Sequence, residues 1–384
     1  MGQKQIISLP SRGISINLNL LIYSALNLAY GGGFERWVSE VAPRLADKGH
    51  NVTVVTTHAG DKKNESTKLT LVGRGIKIIE LDNYTKPFTI PRIKEITRLL
   101  KIIREHNILY FNNAFAGNEL LMRLAKMRTR IVAGYHGMFP NVGSHVRKIY
   151  YITINRAVSS SFSAHHVVNR HREKLLMSYG YRNVYYIPCG VDTSKFYPSK
   201  KEEKFTILFV GRLTYQKGFD IFAKVVEFLN EYYGRNFHFI IVGEGPMSNI
   251  ARRLKIKYEN VQWSGYTADK ELIKLYQQAH VLLAPSRFEE FLLTSIEAQA
   301  CGTPVIASDI PGPRDNVVNR RTGFLIKPSV EDFVKYVLLF KRIWESSREV
   351  YYEYSKNARK NALKYNWSII VDMLEKMLIE VSRL

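Results

Sequence analysis

The sequence predicts an α/β protein made of two doubly wound parallel sheets, each covered by helices on both faces. Strand-like apolar runs alternate with amphipathic helical segments almost throughout, and the alternation breaks off once, at a Pro-, Gly- and charge-rich stretch, before starting again. Length and composition agree: 384 residues at 46% hydrophobic and 23% charged make an ordinary globular chain with room for two domains.

In the first half, LNLLIYS, HNVTVVTT, IKIIEL and NILYFNN are continuous runs rich in Ile, Leu and Val. Strands buried on both faces need that pattern. ERWVSEVAPRLADKG and PRIKEITRLLKIIREH carry apolar residues at helical spacing. The interruption is IPCGVDTSKFYPSKKEEK, which puts the domain boundary near Pro198 to Lys204: residues 1–198 form the first domain and 199–365 the second. FTILFVG, FHFIIVGEG, NVQWSG, HVLLAPS, TPVIAS and GFLIKP then alternate with helices such as GFDIFAKVVEFLNEYY and DKELIKLYQQA. A last helix, 366–384, sets Ile369, Ile370, Met373, Leu374, Met377, Leu378 and Val381 in a one-sided stripe that needs a surface in one domain or the other. Two such domains make a cleft, and open α/β sheets bind ligands beyond the carboxyl ends of their strands.

The formal net charge of +22 favours acidic partners: nucleic acid, anionic lipid headgroups or a phosphorylated ligand. A solvated basic surface gives the same total. Cys189 and Cys301 lie far apart, so neither a disulfide framework nor a clustered zinc site is expected, and a reducing cytoplasm fits. Asn17, Asn19 and Asn27 interrupt the first apolar stretch, and neither a signal peptide nor a spanning helix is predicted.

FVGRLTYQKGFD ends a strand and opens a helix, with Arg212 and Lys217 between Gly211 and Gly218. Two cations at a helix start suit an oxyanion, although a solvated βα turn reads the same way. Gly243 and Gly245 in IIVGEGP mark a strand running into a turn that is either a donor-binding turn or a plain tight one, and GGGFERW, with Gly32 and Gly33, precedes a helix whose start could let backbone approach a phosphate. In EEFLLTSIEAQACGTPVIA, a helix over Phe291 to Ala300 would set Glu289 at its entry and Glu297 about two turns inside, an axial offset on the order of 12 Å. Paired glycosidase carboxylates sit roughly 5–9.5 Å apart. The longer offset suits two ends of an elongated ligand with an anionic middle at the helix N-terminus, while a dipole-complementing Glu289 and a surface Glu297 form the structural alternative. No Asp-x-Asp motif occurs, and no metal site is expected.

In combination, GRLTYQKG, VGEGP, HVLLAPSRFEEFLLTSIEAQACGTPVIASDIPG and TGFLI in one half, with GGGFERWVSEVAPRLADKGHNVTVVT in the other, resemble the retaining GT-B glycosyltransferases called group 1 or family 4. IPCGVDTSKFYP and YNWSIIVDML extend the likeness over nearly the whole chain. The resemblance implies a GT-B fold with a cleft between two Rossmann-like domains, the first on the acceptor side and completed by helix 366–384, the second binding a nucleotide-sugar donor. It implies that Arg212 and Lys217 bind the donor diphosphate, that Glu297 holds ribose hydroxyls and Glu289 the transferred sugar, and that backbone at Phe291, Leu292 and Leu293 approaches the phosphate. It also implies that His136 lies near the reacting carbon and that Gly32 and Gly33 form a loop near phosphate and acceptor. The family usually has Gly where this chain has Leu292, and His136 alone could equally be a packed polar residue.

The expectation is a metal-independent, retaining transfer of a hexosyl-type unit from a UDP- or GDP-linked sugar to a saccharide, lipid-linked or other anionic acceptor, with no cofactor and no nucleic-acid partner. It is placed in the cytoplasm, with an anionic membrane surface as a candidate contact through the basic helix carrying Arg92, Lys94, Arg98, Lys101 and Arg104. The rivals are a nucleotide-sugar epimerase of the same architecture and a basic, non-catalytic nucleic-acid-binding protein.

Overall fold

The computed structural model describes residues 16–28, 33–58, 66–83, 91–112, 118–124, 129–137, 149 and 151–384. Two parallel sheets organise them. The first has seven strands: β1 (Asn19–Ser24), β2 (Asn51–Thr57), β3 (Lys77–Leu81), β4 (Ile108–Asn112), β5 (Arg130–Tyr135), β6 (Ala164–Val167) and β7 (Val184–Tyr186), in the order β3-β2-β1-β4-β5-β6-β7. The second has six: β8 (Thr206–Val210), β9 (His238–Val242), β10 (Val261–Trp263), β11 (Val281–Ala284), β12 (Val305–Ser308) and β13 (Gly323–Ile326), in the order β10-β9-β8-β11-β12-β13. In each sheet the order reverses at one place, between β1 and β4 and between β8 and β11, where a doubly wound sheet opens a binding crevice.

The apolar runs form these strands because both faces are covered. Leu20 and Ile22 of β1 enter one core while Leu21 and Tyr23 enter another, and all four are buried. In β8, Leu208 faces the core shared with the first domain, whereas Ile207 and Phe209 face the outer core of the second. Each large apolar side chain so buried contributes about 1.5–3 kcal/mol relative to exposure. The short strands β6 and β7 were not legible as apolar runs. β6 reads AHHV, and its two buried histidines, His165 and His166, hide it from a hydrophobicity pattern.

The Trp367–Ser382 helix packs on the Gly33–Asp47 helix of the first domain, and Lys48 and His50 grip Glu375 at 2.7 and 3.0 Å. The chain crosses between domains twice, side by side. Val191 N donates to Tyr365 O at 2.8 Å, and Trp367 lies so close to Gly190 that a Cβ there would sit 2.5 Å from the indole. The basic helix expected to meet membrane, Ile93–Arg104, turns Leu99, Ile102 and Ile103 into the first domain's core, with Ile96 and Leu100 beside them. Its apolar side is therefore used by the sheet, and its cations stay exposed. No helix among the described residues is long and apolar enough to cross a membrane.

Candidate functional site

The loops after β8, β9 and β11 come together at the reversal point of the second sheet. Backbone bonds fasten the first two: Gly211 N donates to Val242 O at 3.0 Å, Leu213 N to Glu244 O at 3.0 Å and Met247 N to Leu213 O at 3.0 Å. Gly243 has φ +124°, and a Cβ there would lie 2.0 Å from Gly211 O; at Gly245 it would lie 2.6 Å from Leu213 O. Both glycines thus have a packing reason that involves no ligand. They seat the loop that carries Arg212 and Lys217. Gly218, at φ +68°, presses against Pro285 O and brings Lys217 to the β11 loop.

There Lys217 Nζ donates to Glu289 Oε1 at 2.6 Å, and Ser286 Oγ donates to the same oxygen at 2.8 Å. Glu289 is buried, with Gly312 leaving room for its Cβ. Arg212 is exposed and makes no side-chain bond among the described residues. The following helix is Leu293–Ala300, starting two residues later than expected because Leu292, at φ −85° and ψ 83°, is not yet helical. No side chain caps it, but Leu293 N and Ser295 N already donate to Phe291 O and Leu292 O, both at 3.1 Å, so among these first amides it is Thr294 N–H that its first turn offers an anion. Leu292 needs no positive φ, and its side chain is buried in the core. Phe291 is buried and Leu293 half-buried, its Cδ1 3.8 Å from where a Cβ on Gly33 would be. The first helix of the first domain therefore abuts this loop across the cleft. Gly32 lies outside the described residues.

Glu297 is buried, with both oxygens engaged: Oε1 meets Arg36 Nη1 of the first domain at 3.0 Å and Oε2 accepts from Tyr276 Oη at 2.8 Å. Burial pushes its pKa up, opposed by Arg36 and the Tyr276 hydrogen bond. Neither partner was assigned a role from the sequence, although Arg36 lies within GGGFERW. Glu290 is clamped from the other domain by Arg172 and by Asn169, whose Nδ2 is 2.7 Å from Oε2. His136 follows β5. Its Nε2 is 2.6 Å from Tyr110 Oη, its ring lies 5.0 Å from Phe34 and 4.8 Å from Trp37, and burial, then neighbouring His166, holds its pKa well below the usual value. The structure thus joins Lys217 with Glu289 and sets Glu297 along the same helix. It places His136 on the facing domain behind Phe34. Among the described residues no cluster of three His, Cys, Asp or Glu could hold a metal.

Residues 191–361 match the family described as Glycosyl transferases group 1, and residues 31–195 match Glycosyltransferase Family 4. A phosphatidylinositol N-acetylglucosaminyltransferase subunit of Homo sapiens is 24% identical over 313 residues, covering 78% of this chain. The chain spans 63% of that relative's length. The protein of the same name from Arabidopsis thaliana is 26% identical over 348 residues, covering 83% of this chain and 73% of its own length. Among solved structures, a glycosyltransferase from Rickettsia africae superposes with a TM-score of 0.77 at 21% identity, covering 95% of this chain and 98% of that one. HepE of Anabaena, solved with UDP and glucose, gives 0.75 at 16% identity, covering 94% and 100%. These two likenesses establish the GT-B fold.

Proposed function

We propose, because this chain belongs to the group 1 / family 4 glycosyltransferases and has their GT-B fold, that it moves a hexosyl-type unit from a UDP- or GDP-linked sugar to a saccharide, lipid-linked or other hydroxyl-bearing acceptor, with retention of anomeric configuration. The observation that carries this reading is the Lys217, Ser286 and Glu289 cluster beside the uncapped Leu293–Ala300 helix at the β8/β11 reversal point, with Glu297 deeper in the same helix. A diphosphate at the helix start meets the Thr294 amide and the cations Lys217 and Arg212. As the glycosidic bond breaks, negative charge grows on that diphosphate, where these groups stabilise it more than they stabilise the bound donor. The leaving phosphate oxygen takes the acceptor proton on the face where the new bond forms, so no separate base is required, and Lys217, Arg212 and the helix start balance the charge that a metal would otherwise balance. Glu289 orients the transferred sugar. Glu297 takes ribose hydroxyls, which must share or displace Arg36. Contact between Gly33 and Leu293 brings the domains together around the reactants and keeps water out.

The phosphatidylinositol-named relatives favour a lipid-linked acceptor and assembly with a second protein, and the HepE complexes favour UDP. A place at an anionic cytoplasmic membrane face follows, held by the exposed cations of the Ile93–Arg104 helix. Thermal shift and calorimetry with UDP, GDP, ADP and their sugars test the reading. A cognate diphosphate at 100 times its Kd adds about 2.7 kcal/mol to stability. If no nucleoside diphosphate binds by either method, the proposal fails; conversion of the donor sugar, without acceptor, into its epimer would replace it with the epimerase reaction.

A further inference from the structure

Behind the cleft, the Tyr110 hydroxyl stands between two imidazoles, 2.6 Å from His136 Nε2 and 2.6 Å from His166 Nδ1. His166 Nε2 in turn lies 2.8 Å from Ile187 O. These contacts leave one consistent placement of protons. A carbonyl oxygen only accepts, so His166 carries its proton on Nε2. Burial pushes the His166 pKa down to about 4, so at neutral pH its Nδ1 has a bare lone pair and the Tyr110 hydroxyl must donate to it. With that proton used, the Tyr110 oxygen can only accept from His136. His136 Nε2 is therefore the protonated nitrogen and Nδ1 the bare one.

The fold builds room for this chain of bonds. Gly134 of β5 pairs with Asn112 of β4, and a Cβ on Gly134 would lie 2.2 Å from Tyr110 Oη. The absent side chain is the slot through which the hydroxyl reaches both imidazoles. Trp37 stacks on Tyr110 at 4.8 Å and 21°, fixing the phenol, and Tyr110 and His166 are both fully buried. On the other side, His136 Nδ1 meets no hydrogen-bonding partner among the described residues. Its ring touches Phe34, whose neighbour Gly33 abuts Leu293 across the cleft.

We propose that Tyr110 and His166 are positioning residues that order these protons so that His136 keeps Nδ1 as an acceptor, which receives a hydrogen bond from a sugar hydroxyl and disfavours a phosphate oxygen. The identity of that ligand rests on the glycosyl-transfer reading; the ordering of the protons does not.

The test is long-range proton–nitrogen NMR of protein labelled with ¹⁵N-histidine, with the His136 signals assigned by their loss in His136→Gln. The expected wild-type pattern is a protonated Nε2 and a bare Nδ1. Tyr110→Phe keeps the ring under Trp37 but removes the hydroxyl, so His136 should move to a mixture of tautomers. Tyr135→Phe removes a second buried Tyr–His contact, 3.2 Å from Tyr135 Oη to His165 Nδ1, and should leave His136 unchanged. In turnover, Tyr110→Phe should lower kcat about 5- to 10-fold, the factor for one hydrogen bond, with KM for the nucleotide sugar unchanged. An equal drop in donor hydrolysis without acceptor assigns the hydroxyl to the donor, and a drop in transfer alone assigns it to the acceptor. A wild-type His136 protonated on Nδ1 overturns the proposal, and that spectrum decides even if the variant does not fold. So does an unchanged spectrum or unchanged kcat in folded Tyr110→Phe. Ordered protons in a protein that turns over no sugar nucleotide would sink the transferase reading and leave the relay standing.

Discussion

Replacing Lys217 by Met removes an ammonium and keeps an apolar stem. Glu289 then loses its 2.6 Å partner and retains Ser286 as the donor for a side chain only 6% exposed. A lost charge-assisted hydrogen bond is worth about 1.5–3 kcal/mol, and a charge stranded in a fully buried pair about 3–5 kcal/mol. The Lys217 side chain is 25% exposed, so solvent takes over part of its role and a loss of about 2 kcal/mol is expected. Adding Glu289→Gln removes the stranded charge, so the double variant should regain most of that stability. Transfer should not return with it. If Lys217 stabilises the leaving diphosphate, kcat falls by about 10²–10³ in the single and stays low in the double variant. Urea unfolding and steady-state transfer on the wild type, both singles and the double give the full cycle. Transfer by the double variant equal to that of Glu289→Gln alone would refute the diphosphate role, because Lys217 would then be no more than the counter-ion of Glu289.

Glu297→Gln should weaken free diphosphate binding about 10-fold or more by calorimetry, whereas Glu289→Gln should leave it intact and lower kcat; the opposite pattern reverses the two roles. Transfer should survive chelation by EDTA, and loss of turnover restored by magnesium or manganese would contradict charge stabilisation by protein groups alone. The buried Lys201, 2.6 Å from Thr303 Oγ1, has its pKa pushed down to about 7 by burial. The unfolded chain therefore binds the extra proton, and stability should rise by about 1 kcal/mol from pH 7 to 8, a rise that Lys201→Met abolishes; equal slopes in the two proteins would refute it. Co-sedimentation with anionic but not neutral vesicles, weakened by salt and by charge reversal of Lys101 and Arg104, is expected; equal recovery in both supernatants would exclude a membrane contact.

The apolar runs by themselves determined two parallel, doubly covered sheets, because a strand buried on both faces must be apolar at nearly every position. The loops carrying Lys217 and Glu289 were legible for a related reason: motif spacing at strand ends is local, and the order of strands places those ends at one rim. The partners of the side chains were not legible. Arg36 reaches Glu297 only when the two domains face each other, and Asn169 and Arg172 reach Glu290 by the same closure. Gly243 and Gly245 look in sequence like a place for a ligand, yet their close neighbours are the backbone oxygens of Gly211 and Leu213, which only the stacking of two loops brings near. His166 is unremarkable in AHHV, and the Gly134 slot lets the hydroxyl of Tyr110, on the next strand, join it to His136. Periodicity is a property of neighbours along the chain. Hydrogen-bond partners and proton positions depend on strand register and domain contact, which the tertiary structure alone decides.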